Sequence, residues 1–194
     1  MALREILTEP NKLLREKSLM VEKVDEDLQK LMDDMLETMY AARGIGLAAI
    51  QIGVPKRVIV LDIGERDKSE STKDEKDEKD EKDEKDEKRK NPMYFVNPEI
   101  ITKSTNNSTY EEGCLSVPGQ FAEIDRPDKC HVKYLDYYGQ PKELVAEDMI
   151  ATCIQHEIDH LEGILFIDYL SKLKKSMIVK KLVKQKEQLD RIVI

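Results

Sequence analysis

The chain has 194 residues, 40% of them hydrophobic and 37% charged, with a formal net charge of -8. That length and apolar content suit one domain with a single core, so residues 1-194 are expected to form one catalytic domain. The negative charge leaves no global basic footprint for DNA, and no run of about 18 apolar residues offers a membrane span.

At the N-terminus, Met1-Ala2-Leu3-Arg4-Glu5-Ile6 has neither the apolar core of a signal peptide nor the Arg/Ser-rich, acid-poor run of a transit peptide. A cytoplasmic, unprocessed protein is the expectation. From Asp25 to Arg43, Leu28, Leu31, Met32, Met35, Leu36 and Met39 follow the i, i+3, i+4, i+7 spacing of an amphipathic helix, with Asp25 placed to cap its start and Gly44 its end. The methionines read as flexible core packing. Small residues then cluster in Gly44-Ile45-Gly46-Leu47-Ala48-Ala49-Ile50-Gln51.

β-Branched runs predict strands over Arg57 to Ile63, Met93 to Ile101, Lys129 to Tyr137 and Lys142 to Val145, the last two flanking the hairpin turn Tyr138-Gly139-Gln140-Pro141. Between the first two, residues 65-90 hold a Lys-Asp-Glu repeat without an aliphatic or aromatic side chain. Such a stretch has no apolar surface to offset its ordering entropy, and it is read as a disordered or weakly helical loop insertion.

Three cysteines without a CxxC pair argue against a disulfide framework and fit a reducing compartment. Cys130 and Cys153 fall on a strand and a helix and read as small core residues. Cys114, within Glu112-Gly113-Cys114-Leu115-Ser116, is placed in a loop after a short strand, which suits a ligand.

Glu147 to Leu161 carries apolar residues at helical spacing, with Gly163 placed to end the helix, and contains His156-Glu157-Ile158-Asp159-His160. Helix positions four apart differ by roughly 40° around the axis and about 6 Å along it, so both histidines project to one side and one divalent ion can bridge them. Glu157, about 100° round from His156, is offset from that pair yet near enough to handle a water molecule. Finally, residues 171-194 form a helix-like segment with eight Lys/Arg against two Asp/Glu and with Ile178, Leu182 and Leu189 along one side. It is either the solvated face of a packed terminal helix or a contact for an anionic partner such as ribosomal RNA.

Taken in order, the Gly44 to Gln51 run, Glu112-Gly113-Cys114-Leu115-Ser116 and the H-E-x-D-H at 156-160 resemble the peptide deformylase family, whose pattern is G-x-G-L-A-A-x-Q, E-G-C-L-S, H-E-x-D-H. The resemblance covers nearly the whole chain apart from the charged insertion. It implies an α+β fold in which antiparallel β-sheets pack around a central helix carrying H-E-x-x-H, with an N-terminal amphipathic helix and a C-terminal helix. It implies a hydrolase that removes the formyl group from the N-terminal formylmethionine of newly synthesised polypeptides. Cys114, His156 and His160 then hold one divalent metal ion, Fe2+ in the cell, with Zn2+ or Ni2+ able to replace it. One thiolate and two neutral imidazoles leave the site a net positive charge, which makes hydroxide available as nucleophile near neutral pH.

By the same resemblance Glu157 moves protons as general acid/base, and the Gln51 side chain and Leu115 N-H donate to the developing oxyanion. Gly44, Ile45, Gly46, Tyr110, Gly113, Met149, Thr152 and Cys153 bind the peptide, held extended with its methionine side chain in an apolar pocket. Tyr110 and Thr152 stand where many relatives have aliphatic residues, and Phe121 where many bacterial members carry Arg. Asp159 is read as structural support. Two rivals differ in their consequences. An H-E-x-x-H endopeptidase commonly takes its third ligand downstream, and a structural metal site has four protein ligands and gives Glu157 and Gln51 no chemical task.

Overall fold

A computed structural model describes residues 2–64 and 90–192, with side chains followed as far as residue 188. The first helix, α1 (Glu26–Ala41), begins where the Asp25 carboxylate accepts a hydrogen bond from the Leu28 N–H at 3.0 Å. Its stripe of Leu28, Met32, Met35 and Met39 is buried against Val58, Val60 and Val96, so the methionines are core. The helix ends differently from expectation. Arg43, not Gly44, adopts the left-handed conformation (φ 56°), while the Gly44 N–H bonds back to the Met39 carbonyl at 2.9 Å. Gly44 serves close approach instead, since a Cβ there would lie 2.8 Å from Leu115 Cδ1.

Among the described residues seven strands follow: β1 (Gly46–Ala48), β2 (Val58–Leu61), β3 (Met93–Lys103), β4 (Asn107–Cys114), β5 (Val117–Pro127), β6 (Lys129–Leu135) and β7 (Pro141–Glu147). They form a five-stranded antiparallel sheet in the order β1-β2-β3-β6-β7 and a separate two-stranded ribbon, β4-β5. The β6-β7 hairpin is the one expected from the Tyr138-Gly139-Gln140-Pro141 turn. The Lys-Asp-Glu repeat lies outside the described residues. Its flanks are drawn together by Asp62, whose carboxylate accepts from the N–H groups of Gly64 (2.8 Å) and Asn91 (3.0 Å) and from the Tyr40 hydroxyl.

The sequence reading placed a short strand before Cys114, but the extent of β4, its partner β5 and the strand β1 are additions to it. Both ribbon strands are polar and alternate in burial with a period of two, so they lack the β-branched runs that betrayed the sheet. Cys114 is accordingly the last residue of β4, at the tight connection to β5, and not part of a free loop.

Helix α2 (Asp148–Leu161) lies on the sheet, burying Ala151, Cys153, Ile154 and Leu161 with Ile59, Leu61, Phe95, Cys130 and Val132. Cys130 and Cys153 are thus core residues, as their positions suggested. Helix α3 (Lys172–Ile192) packs Leu182 against Val117, Ala122, Ile124 and Phe166, which joins it to the ribbon. Its burial of one apolar side supports the packed-helix reading. None of the described helices is long and apolar enough to cross a membrane.

Gly163 ends α2 in the left-handed conformation (φ +74°), and a Cβ there would collide with the Arg15 carbonyl. Both the backbone strain and the clash oppose a side chain. Gly163→Ala should therefore lower unfolding stability by roughly 1–3 kcal/mol, read from the urea midpoint. An unchanged midpoint would contradict this account of the helix end.

Candidate active site

Two turns of α2 set His156 and His160 side by side, their ring centroids 5.1 Å apart. The partner sulfur arrives from β4, where a register shift between Gly113 and Cys114 breaks the ladder. Such a bulge re-aims a side chain, and Cys114 Sγ lies 3.2 Å from His160 Nε2. One ligand atom from each of Cys114, His156 and His160 lies within 4.8 Å of the others.

Behind this trio stands a layer of hydrogen bonds. His156 Nδ1 faces Glu112 Oε2 at 2.8 Å, which leaves its Nε2 for a ligand. The Arg126 guanidinium grips Glu112 at both carboxylate oxygens (2.5 and 3.0 Å) and reaches Asp159 at 2.7 Å. Asp159 also accepts from the Tyr169 hydroxyl at 2.8 Å, and the Arg126 cation lies over the Tyr169 ring. Asp159 thus braces Arg126 and Tyr169, in keeping with its reading as structural support. Burial alone would raise the Glu112 carboxyl, but the bonds to His156 and Arg126 overcome it and hold the pKa below the ordinary value.

The two imidazoles experience opposite fields. Burial disfavours the charged form of His156, yet Cys114 and Glu112 beside it raise its pKa well above the ordinary value. His160, fully buried and facing the positive charges of His156 and Arg126, is held well below. A soft sulfur and two borderline nitrogens converging, with no carboxylate among them, fit a first-row divalent metal such as Fe2+, Zn2+ or Ni2+. The hydrogen bond from a ligand imidazole to Glu112 is the usual outer support of such a site.

Glu157 faces a cavity of about 490 Å3. Burial pushes its carboxyl up to about 7, and its Oε2 is buried without a protein partner. Gly46 gives it room, because a Cβ there would sit 2.9 Å from Glu157 Cδ and closer still to Oε1. Gln51 is oriented by the Ala48 N–H, which donates to its Oε1 at 2.8 Å, so that its Nε2 donates to Ser116 Oγ (3.0 Å) and towards Cys114 Sγ (3.6 Å). Backbone bonds from the N-terminal segment steady both flanks: Leu7 N–H to the Gln51 carbonyl at 2.7 Å, and Glu9 N–H to the Ser116 carbonyl at 2.8 Å.

The same cavity is lined by Gly44, Ile45, Gly46, Tyr110, Gly113, Met149, Thr152 and Cys153, together with Leu115, Gln51, Cys114, His156 and Glu157. His160 does not line this cavity and is fully buried. Ala48 and Ala49 do not reach the cavity either; they belong to the core beneath it. Sequence reasoning missed Glu112 and Arg126 as supports. Glu112 was within reach, since it belongs to the same Glu112-Gly113-Cys114-Leu115-Ser116 motif as Cys114. Arg126 had no local signal, because its pairing depends on the β4-β5 register.

A family model described as polypeptide deformylase matches residues 3–176. The peptide deformylase of Pelagibacter ubique is 59% identical over 194 residues, covering 100% of both chains. That of Maricaulis maris is 54% identical over 191 residues, covering 98% of each. Among solved structures, peptide deformylase from Ehrlichia chaffeensis in complex with actinonin superposes with a TM-score of 0.81 at 40% identity, covering 95% of this chain and 98% of that one. The enzyme from Thermotoga maritima gives 0.74 at 34% identity, covering 88% and 99%.

Arg126 is the group whose removal leaves two carboxylates without their cation. Arg126→Met should cost about 3–5 kcal/mol of stability and weaken Zn2+ affinity about 10–100-fold through loss of the Glu112 support. Urea unfolding and chelator competition measure the two effects. Wild-type values in both would show that the network does not hold the site.

Proposed function

The chain belongs to the polypeptide deformylase family, a family of enzymes, and from that premise we propose that it hydrolyses the N-formyl group of newly made polypeptides beginning with formylmethionine. The products are formate and a free amino terminus. The observation that carries this reading is the meeting of Cys114, His156 and His160 beside Glu157 and Gln51 in one cavity.

Cys114, His156 and His160 would hold a divalent ion, proposed as Fe2+ with Zn2+ or Ni2+ accepted by the same donors, which supplies Lewis-acid polarisation and lowers the pKa of a water molecule. Glu157 takes a proton from the attacking water. Its burial, which favours the protonated form, suits it to hold that proton and deliver it to the amine nitrogen as the C–N bond breaks. As the formyl carbon becomes tetrahedral, charge collects on its oxygen. Gln51 Nε2, with its carbonyl end pinned by Ala48, and the Leu115 N–H are the donors assigned to that charge, worth about 3 kcal/mol for such a donor.

Substrate binding is assigned to the remaining cavity wall. Gly44, Gly46 and Gly113 let an extended peptide backbone approach, and Ile45, Tyr110, Met149, Thr152 and Cys153 surround the methionine side chain. The basic face of α3 is proposed to meet the ribosome, in the cytoplasm where nascent chains emerge, and the whole chain to act as a single catalytic domain.

The direct test is formate release from a formyl-Met peptide, run anaerobically with Fe2+ and repeated with Zn2+. Formate with an intact peptide is expected; fragments of an internal peptide without formate would contradict the proposal. Glu157→Ala should keep its metal by elemental analysis yet lose about 100-fold or more of turnover. Wild-type turnover in the loaded variant would remove Glu157 from its role. Gly46→Ala, whose methyl displaces the Glu157 carboxylate, should lose about 100-fold with the ion retained. Full activity there would show that the position of Glu157 is not critical.

A further inference from the structure

Two of the large apolar side chains that the fold leaves exposed lie at the mouth of the cavity: Phe121, 66% exposed, and Ile45, 48% exposed. Neither belongs to a core cluster. Phe121 stands directly across the β4-β5 ladder from Gly113, and because Gly113 has no side chain, the ring lies flat against that position. A Cβ there would meet Cε1 at 2.6 Å and Cδ1 at 2.7 Å. The ring is thereby folded over the residue that precedes Cys114. Ile45, between Gly44 and Gly46, lines the same cavity from the α1-β1 connection. Arg43 and Glu111 also line it, and their opposite charges leave the mouth without a dominant sign.

We infer that Phe121, with the half-exposed outer side of Ile45 whose inner side meets the methionine pocket, forms an apolar clamp that selects a large apolar side chain at the second or third residue of the substrate peptide. The inference rests on the deformylase reading and deepens it. An extended chain whose first side chain fills the inner pocket advances about 3.3 Å per residue, so the next two side chains emerge at the cavity mouth. An apolar one removes the Phe121 ring and Ile45 from water as it binds, whereas an Asp or Lys gains nothing from them and loses hydration. The clamp acts on binding, so its effect falls on KM more than on kcat.

Two peptide series test it, formyl-Met-Xaa-Ala and formyl-Met-Ala-Xaa with Xaa as Leu, Phe, Ala, Asp or Lys, with formate release giving kcat and KM for the metal-loaded enzyme. In one series the Leu and Phe peptides should exceed the Ala peptide in kcat/KM by about tenfold, through KM, with Asp and Lys at or below Ala. In Phe121→Ala that ratio should fall to about one, and Phe121→Leu should regain most of it. A wild-type enzyme indifferent to Xaa in both series, or a ratio that survives in Phe121→Ala, overturns the clamp while leaving deformylation intact. Formate from none of the peptides overturns the clamp and the deformylase reading together.

Discussion

A buried guanidinium, Arg126, ties the ribbon that carries Cys114 to the helix that carries both histidines, beside the bonds from Glu112 to His156 and from Gln155 to the Pro127 carbonyl. The β4-β5 pair shares no ladder with the five-stranded sheet, so nothing in the sheet's hydrogen bonding sets its distance from α2. Arg126, itself on β5 and 3% exposed, bridges Glu112 on β4 and Asp159 on α2. Burying Arg126 and Glu112, with Asp159 partly buried beside them, is costly, and is tolerated because each is paired and hydrogen-bonded. Glu112 also turns to His156, so the same pair of carboxylate oxygens fixes the ribbon's position and the orientation of one imidazole.

Around that link the site is built by exclusion as much as by contact. Gly44 and Gly46 are places where a methyl group would strike Leu115 or Glu157, and Gly113 yields its space to Phe121. The backbone that passes closest to Glu157 and Cys114 has the least side chain, which lets the protein's own groups pack tightly against it. Glu157 shows the opposite economy. It is kept buried and without a protein partner on one oxygen, a condition that destabilises the fold but produces a carboxyl able to hold a proton near neutral pH. Functional sites commonly retain such locally unfavourable arrangements.

Much of this was legible in the residues. The period of α1, the helical setting of His156 and His160, and the β6-β7 turn all depend on local spacing, which sequence displays directly. The three motifs pointed to a common site through their resemblance to one family pattern. What escaped was non-local. Arg43, not Gly44, takes the left-handed position, and the space beside Gly44 is filled by Leu115. The ribbon strands are half exposed, so a search for apolar runs passes over them, and the partnership of Arg126 with residues 14 and 33 positions away exists only once they are folded together. The tendency to look for ligands and nucleophiles first also leaves the groups that orient them, Glu112 above all, in the background.

The central claim is that Cys114 gives its sulfur to the same ion that His156 and His160 hold. Absorption spectra of the Co2+-loaded protein and of Cys114→Ser test it most directly. The wild-type protein should show a thiolate-to-cobalt charge-transfer band together with the intense visible bands of a four- or five-coordinate ion, and the charge-transfer band should vanish in Cys114→Ser. A band that persists in the variant would assign the sulfur to another residue, such as Cys153, which lines the same cavity; its absence from the wild type would contradict the proposed metal centre.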